Sequence, residues 1–169
     1  MHVQRLVASD VPRYRELMLH AYAAAPDAFT STPEERSAEP DSWWLKRIAD
    51  PSGQSVAFGA FHDDHLVGTV TVEFASKPKT RHKAKLIGMF VHESCRGLGA
   101  GAKLVEAAVA AASARPEVRV VTLTVTQGNA SAVGLYERCG FRTFGVEPMA
   151  LATPEGYRSK VHMWLPLGG

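Results

Sequence analysis

The residues that could do chemistry concentrate in the second half of the chain. Arg96-Gly97-Leu98-Gly99-Ala100-Gly101 follows an apolar run, Leu86 to Val91, and precedes an alanine-rich run, Ala102 to Ala112. Strand, glycine loop, helix is the order of parts that brings bare backbone N–H groups to a phosphate at the positive end of a helix dipole. An anionic ligand is therefore the first expectation. Asn129, Ala132 and Tyr136 form a second group at i, i+3 and i+7. On a helix these three share one face. The seven histidines are scattered without an H-x-x-x-H pattern, and Cys95 and Cys139 have no paired ligand at zinc spacing, so no metal site is expected.

These groups need elements to hold them. Val3 to Val7 reads as a strand, and Ser9-Asp10-Val11-Pro12 as a helix start with a capping oxygen and a proline in the first turn. Tyr14, Leu17, Met18, Ala21 and Tyr22 then recur at helical spacing until Pro26. Thr32 and Glu35 stand at capping-box spacing for a second helix, Pro40 interrupts it, and Asp41 or Ser42 caps a short continuation carrying Trp43, Trp44, Leu45 and Ile48. Ser55 to His62, the turn Asp63-Asp64, and His65 to Phe74 read as a hairpin. The basic linker Ala75 to Lys85 follows.

Leu86 to Val91 has few polar side chains and belongs in the middle of a sheet, with Gly88 marking a bulge or a close backbone approach. A helix from the glycine loop to about Ala114 leads to Val118 to Thr126, whose valines and leucine alternate with threonines. Asn129 caps a helix running to Cys139 and closed by Gly140. Phe141 to Val146 and Lys160 to Leu167 are the last strands, with a loop holding Pro148, Pro154 and Gly156 between them. The order predicts an α+β, mixed α/β fold: a largely antiparallel sheet with one parallel step, from Leu86–Val91 through the glycine-loop helix to Val118–Thr126.

Length and composition limit the function classes. At 169 residues one domain spanning 1–169 is the economical reading, and 46% hydrophobic with 21% charged residues is ordinary for a soluble domain. The amino terminus lacks the basic-then-apolar order of a secretory signal, no apolar run is long enough to span a bilayer, and two cysteines make no disulfide framework. A cytoplasmic protein without membrane association is expected. A net charge of +2 gives no argument for nucleic acid.

Three phosphate-binding loops compete for the glycines. The P-loop pattern fails because Lys103 lies between Ala102 and Leu104. The dinucleotide fingerprint fits Gly97, Gly99 and Ala102, but its acid about 20 residues on should end a strand, whereas Glu117 precedes one. The third pattern, R-x-x-G-x-G, reads as Arg96, Gly99 and Gly101. With Asn129-x-x-Ala132-x-x-x-Tyr136-x-x-x-Gly140-Phe141 following at family spacing, the chain resembles the GNAT superfamily of acyl-CoA-dependent N-acetyltransferases. The close resemblance covers about Leu86 to Phe141.

That resemblance implies a GNAT-like fold with a central six- or seven-stranded sheet flanked by about four helices. It also implies acetyl-CoA as acyl donor, with its pyrophosphate on the backbone of Arg96, Gly97, Leu98, Gly99, Ala100 and Gly101. The main chain of Met89, Phe90 and Val91 would hold the pantetheine arm, which requires the adjacent strand to part there, and Asn129 and Ala132 would touch the same arm. Tyr136 would face the thioester sulfur as general acid, and a backbone N–H around Phe90 would hold the oxyanion. The family's usual glutamate has no counterpart between Lys85 and Val91. Glu73 is the candidate base, His92 a weaker one, and a water chain would also suffice.

The expected reaction is acetyl transfer to a primary amine of a small molecule, peptide or protein N-terminus. A non-catalytic acyl-CoA-binding module is the alternative, and a nicotinamide-dependent oxidoreductase rests on the fingerprint alone. Substrate contacts are expected from the Trp43-Trp44 region, the basic linker and the loop Glu147 to Lys160, although the tryptophans also read as core. A homodimer is one expectation for its assembly.

Overall fold

In the computed structural model, which describes residues 1–168, the chain runs β1 (His2–Arg5), α1 (Val11–Ala24), α2 (Pro33–Ser37), α3 (Asp41–Ala49), β2 (Ser55–His62), β3 (His65–Phe74) and β4 (Lys83–Val91). It continues through α4 (Ala100–Ser113), β5 (Val120–Thr126), α5 (Ala130–Arg138), β6 (Arg142–Thr153) and β7 (Gly156–Pro166). The strands form one seven-stranded sheet in the order β1-β2-β3-β4-β5-β7-β6. Only β4 and β5 pair in parallel; every other neighbour is antiparallel. The helix α4 makes the crossover that this pair requires.

Local chemistry accounts for most boundaries. The Thr32 hydroxyl accepts from the Glu35 amide (3.1 Å) and the Glu35 carboxylate accepts from the Thr32 amide (3.2 Å), the reciprocal capping box at the start of α2. At the start of α1 the N-cap residue Asp10 makes no side-chain cap hydrogen bond. Its buried carboxylate accepts from the Val7 amide at 2.8 Å and from Arg13 at 2.9 Å, so it closes the turn before α1. Asp41 is already inside α3, whose N-cap is the extended Pro40. Because Pro40 separates α2 from α3, there are five α-helices where about four were expected.

The final loop is the largest correction. Residues 147–160, expected as a loop, mostly belong to β6 and β7, joined by a tight turn at 153–156. Pro148 is tolerated because β6 is the sheet edge, where a missing N–H need not break a ladder. The register shift between Glu147 and Leu151, with Met149 at φ 51°, takes up the irregularity. Phe144, Val146 and Met149 on this edge, and Tyr157 on β7, are exposed.

Two apolar cores cover the two faces of the sheet. On one, Val70, Val72, Leu86, Val121 and Leu123 pack against Leu104, Val105, Ala108 and Ala112 of α4. The alanines let α4 lie close to the sheet. On the other, Tyr14, Leu17, Met18, Trp44 and Ile48 of α1 and α3 pack with Ala57, Phe61 and Phe90. The sheet therefore separates α4 from α1 and α3, and a ligand reaching both faces has to pass between strands.

Such a passage exists. The strand β4 pairs with β3 from Ala84 to Val91, but with β5 only through Lys83, Ala84 and Lys85, opposite Val120, Val121 and Thr122. Beyond Lys85 the two strands part. At the same level the β3–β4 register shifts between Thr69 and Thr71, and Gly88 takes φ 60° in the bulge. A bulge adds local twist, and the left-handed backbone it requires here is one that glycine adopts without penalty.

Candidate active site

Between the parted strands lies an open cleft of about 1400 Å³. Leu86 to Val91 form one wall, and their β5-facing edge has no strand partner. Thr124, Val125, Thr126 and Asn129 line the opposite side. An extended chain bearing amides can therefore add to β4 as a substitute strand.

The glycine loop closes one end. The side chain of His92 caps the Glu93–Cys95 turn by accepting from the Ser94 amide. Gly97 and Gly99 then take φ 80° and 81°, and α4 begins with Gly99 as its N-cap, which has no side chain to satisfy the first amides. The Lys103 amide donates to the Gly99 carbonyl at 3.2 Å. The amides of Ala100, Gly101 and Ala102 precede that bond and are left for a ligand. Arg96 does not point its charge away from the protein. Its Nε donates to the Val91 carbonyl at 3.2 Å and its guanidinium lies 5.9 Å from the Phe90 ring centroid, which ties the loop to the end of β4. Gly101 allows α4 and α5 to meet, since a Cβ there would come 3.0 Å from a Leu135 methyl.

The helix α5 presents Tyr136. At its start the Asn129 carboxamide accepts from the Ala132 amide at 3.2 Å. At its end the Gly140 amide donates to Glu137 and the Phe141 amide to Tyr136, both 3.0 Å, with Gly140 at φ 97°. This is a Schellman motif, and its usual hydrophobic contact is the edge-to-face packing of Phe141 on Tyr136, with centroids 5.9 Å apart. The Gly-Phe pair four residues beyond the tyrosine thus locks the tyrosine ring. Burial, with the Cys139 thiol as a smaller cause, pushes the Tyr136 hydroxyl up to about 12.

The structure brings together Met89, Phe90, Val91, Arg96, Gly97, Gly99, Ala100, Gly101, Asn129, Ala132 and Tyr136 on this cleft. Leu98 is 53% exposed and outside the lining. Glu73 pairs with Lys85 across β3 and β4 and is also outside it. Of the basic linker only Lys85 lines the cleft, and of residues 147–160 only Lys160 does. Trp44 is fully buried in the core and Trp43 is packed beside it, so the tryptophans take their core reading. Sequence reasoning missed Tyr22, Phe29, Arg36 and Arg47, which line the cleft from the α1–α3 side. No motif marks them, because they come from four segments that only the tertiary fold brings together.

One cluster that the histidine spacing did not predict forms beside the loop. His20 Nε2 lies 2.8 Å from Glu93 Oε1, and the His20 and His92 rings stack with centroids 4.6 Å apart. A hydrogen bond from its own backbone amide, then the His20 imidazole, hold the exposed Glu93 carboxyl below its usual range.

Comparison with known proteins agrees with this architecture. The family model for the acetyltransferase (GNAT) family matches residues 15–141. A ribosomal-protein-alanine N-acetyltransferase from Brucella melitensis superposes with a TM-score of 0.81 at 20% identity, covering 99% of this chain and 100% of that one. The yncA protein of Salmonella typhimurium, solved with its cofactor acetyl-CoA, superposes with a TM-score of 0.82 at 18% identity, covering 100% and 95%. NAA60 of Arabidopsis thaliana, in complex with a bisubstrate analogue, gives 0.78 at 17%, covering 99% and 98%. A seven-stranded mixed sheet split at its one parallel pair, with a glycine loop entering a helix at the split, is the architecture this chain shares with these acetyltransferase structures. The chain belongs to the GNAT family of acetyltransferases.

Proposed function

We propose that the chain transfers an acetyl group from acetyl-CoA to a primary amine of a small molecule, peptide or protein N-terminus, by direct attack in a ternary complex. The observation that carries this reading is the convergence on one cleft of an unpaired strand edge, an uncapped helix N-terminus and a buried tyrosine hydroxyl. The chain's residues fit coenzyme A. The free amides of Ala100, Gly101 and Ala102 suit a pyrophosphate, and the open edge of Met89 to Val91 suits the amides of a pantetheine arm. Acetyl-CoA supplies an acyl group already activated as a thioester.

Each protein group then has one task. The acceptor nitrogen bonds to the acetyl carbonyl carbon, and the C–S bond breaks. A backbone N–H near Phe90 holds the negative charge that develops on the oxygen. Tyr136 stays protonated at neutral pH and donates to the departing sulfur, regaining its proton from water. The proton lost by the acceptor ammonium passes to water, with Glu73 as the carboxylate that could receive it through a water chain. Neither metal nor redox chemistry is needed for these steps.

A second reading, a non-catalytic acyl-CoA-binding module, is favoured by one observation: among the described residues, the only carboxylate side chain lining the cleft is Glu106. Calorimetric titration with acetyl-CoA and with NADH, followed by thiol-release assays over a broad amine panel, separates the readings. Binding of acetyl-CoA but not NADH, with turnover, supports the transferase; binding without turnover supports the module; NADH binding alone overturns both.

We infer a cytoplasmic protein that acts on soluble amines without nucleic-acid or membrane partners. No helix among the described residues is long and apolar enough to cross a membrane. The exposed Phe144, Val146 and Met149 on the edge strand support the homodimer expectation, which sedimentation velocity over a concentration series checks.

A further inference from the structure

The α1–α3 side of the cleft is cationic and has buried polar atoms without partners. Arg36 of α2 and Arg47 of α3 both line it, and their guanidinium carbons sit 4.3 and 5.3 Å from the centroid of the same Trp43 ring. Both charges therefore rest against one aromatic side chain. Neither is properly neutralised: Arg47 has no carboxylate within 4.0 Å among the described residues, and Arg36 has only Glu39 at 3.9 Å. The Nε atoms of both arginines are buried without a hydrogen-bond partner, as is the Tyr14 hydroxyl. Tyr22 also lines this end, and the two arginines offset part of the rise that burial imposes on its hydroxyl. Lys85 stands at the mouth, opposite Glu73 across β3 and β4.

Two partly buried cations with unpartnered Nε atoms and a single carboxylate at 3.9 Å cost free energy that an anion in the cleft would offset. The position excludes the pyrophosphate as that anion. The uncapped N-terminus of α4 lies on the other face of the sheet, and Glu106, the only acid lining the cleft, belongs to α4 and lies close enough to raise the Cys139 thiol of α5. The arginines therefore face the side from which the acceptor enters. The planar guanidinium fork matches a carboxylate, which can accept two parallel N–H bonds.

From this arrangement we infer that the acceptor is a small amine that itself carries a carboxylate, held by Arg36 and Arg47 while its nitrogen reaches the thioester between Phe90 and Tyr136. The inference rests on the acetyltransferase reading above and narrows its substrate class. Lysine-rich or polyamine acceptors are disfavoured at such a site, because they would bring further positive charge to the two arginines.

The test uses the full chain, acetyl-CoA and matched acceptor pairs: the common L-amino acids against their carboxamides, with acidic and neutral N-terminal peptides as a further arm. The expected result is at least one free amino acid with kcat/KM roughly 10- to 100-fold above its own carboxamide, the advantage of hydrogen bonds to a charged group. Arg47→Gln should remove that advantage by raising KM for the carboxylate acceptor while leaving KM for acetyl-CoA unchanged, and Arg47→Lys should keep part of it. Arg36→Gln serves as the second variant, and circular dichroism with thermal melting shows that each is folded. Equal use of acid and amide, a preference for the acidic peptides alone, or a loss confined to acetyl-CoA binding in Arg47→Gln would overturn the inference while the transferase reading stands. Failure of acetyl-CoA to bind at all would overturn that reading and this one with it.

Discussion

Lys85 and Thr122 form the last pair along the parallel β4–β5 ladder, and beyond Lys85 the β5-facing edge of β4 is unpaired and lines the cleft. The bulge at Gly88 sits three residues further on, where φ is 60° and the nearest atoms to a built Cβ are 3.9 Å away. Space is therefore no obstacle to a side chain, and backbone conformation is. Gly88→Ala is expected to cost about 1–2 kcal/mol of stability by forcing an L-residue into the left-handed region. If the bulge is what parts the strands, the same variant raises KM for acetyl-CoA; urea unfolding with steady-state kinetics measures both. A stability loss with unchanged KM would separate the bulge from the cleft.

Gly99 gives the complementary case at the loop. Its φ of 81° comes with no heavy atom within 4 Å of a built Cβ, so a substitution there reports backbone strain alone. Asn adopts the left-handed region far more readily than Val, so Gly99→Asn should cost about 1 kcal/mol and Gly99→Val roughly twice that. Coenzyme A affinity by calorimetry should fall in the same order, because relieving the strain re-aims the amides of Ala100 to Ala102. Equal affinities for the two variants would detach the loop conformation from binding.

Asn129 has an observed capping role and a proposed contact with the cofactor arm, which one pair of variants can separate. Removing its cap on the Ala132 amide, as in Asn129→Ala, should cost about 1 kcal/mol. Asn129→Asp keeps an N-cap acceptor and hence most of that stability. It also places a negative charge beside the proposed pantetheine arm. Loss of coenzyme A affinity in the Asp variant with stability preserved is expected; preserved affinity would reduce Asn129 to a structural cap.

The parts of the site that were legible in the sequence are those made by contiguous residues under local rules. The glycine loop, the Asn129 cap, the Gly140-Phe141 stop and the hairpin turn at Asp63-Asp64 each depend on backbone conformations that few residue types adopt, so composition and spacing reveal them. The β6–β7 hairpin was less legible, because Pro148, Pro154 and Gly156 signal a break and only the edge position of β6 makes the break harmless. The α1–α3 side of the cleft was not legible. Arg36, Arg47 and Tyr22 are ordinary residues of three separate helices, and nothing in their spacing says that the folds of α1, α2 and α3 bring them to one cleft.

Tyr136 allows a chemical role and a packing role to be distinguished by pH. Its folded hydroxyl is at about 12, against an ordinary 10, so the folded state holds the proton more tightly than the unfolded state. The corresponding stability is fully present below pH 10 and is lost as pH rises toward 12, a change of about 3 kcal/mol for a two-unit difference. Tyr136→Phe keeps the packing on Phe141 and lacks the titration. The stability gap between wild type and variant, read by urea unfolding, should therefore be constant up to pH 10 and then shift against the wild type by that amount. At neutral pH the same variant should lower kcat by roughly 100-fold, the low end for general acid–base assistance, with KM for acetyl-CoA unchanged. An intact kcat with the alkaline shift present would leave Tyr136 as a buried packing residue and pass proton delivery to water.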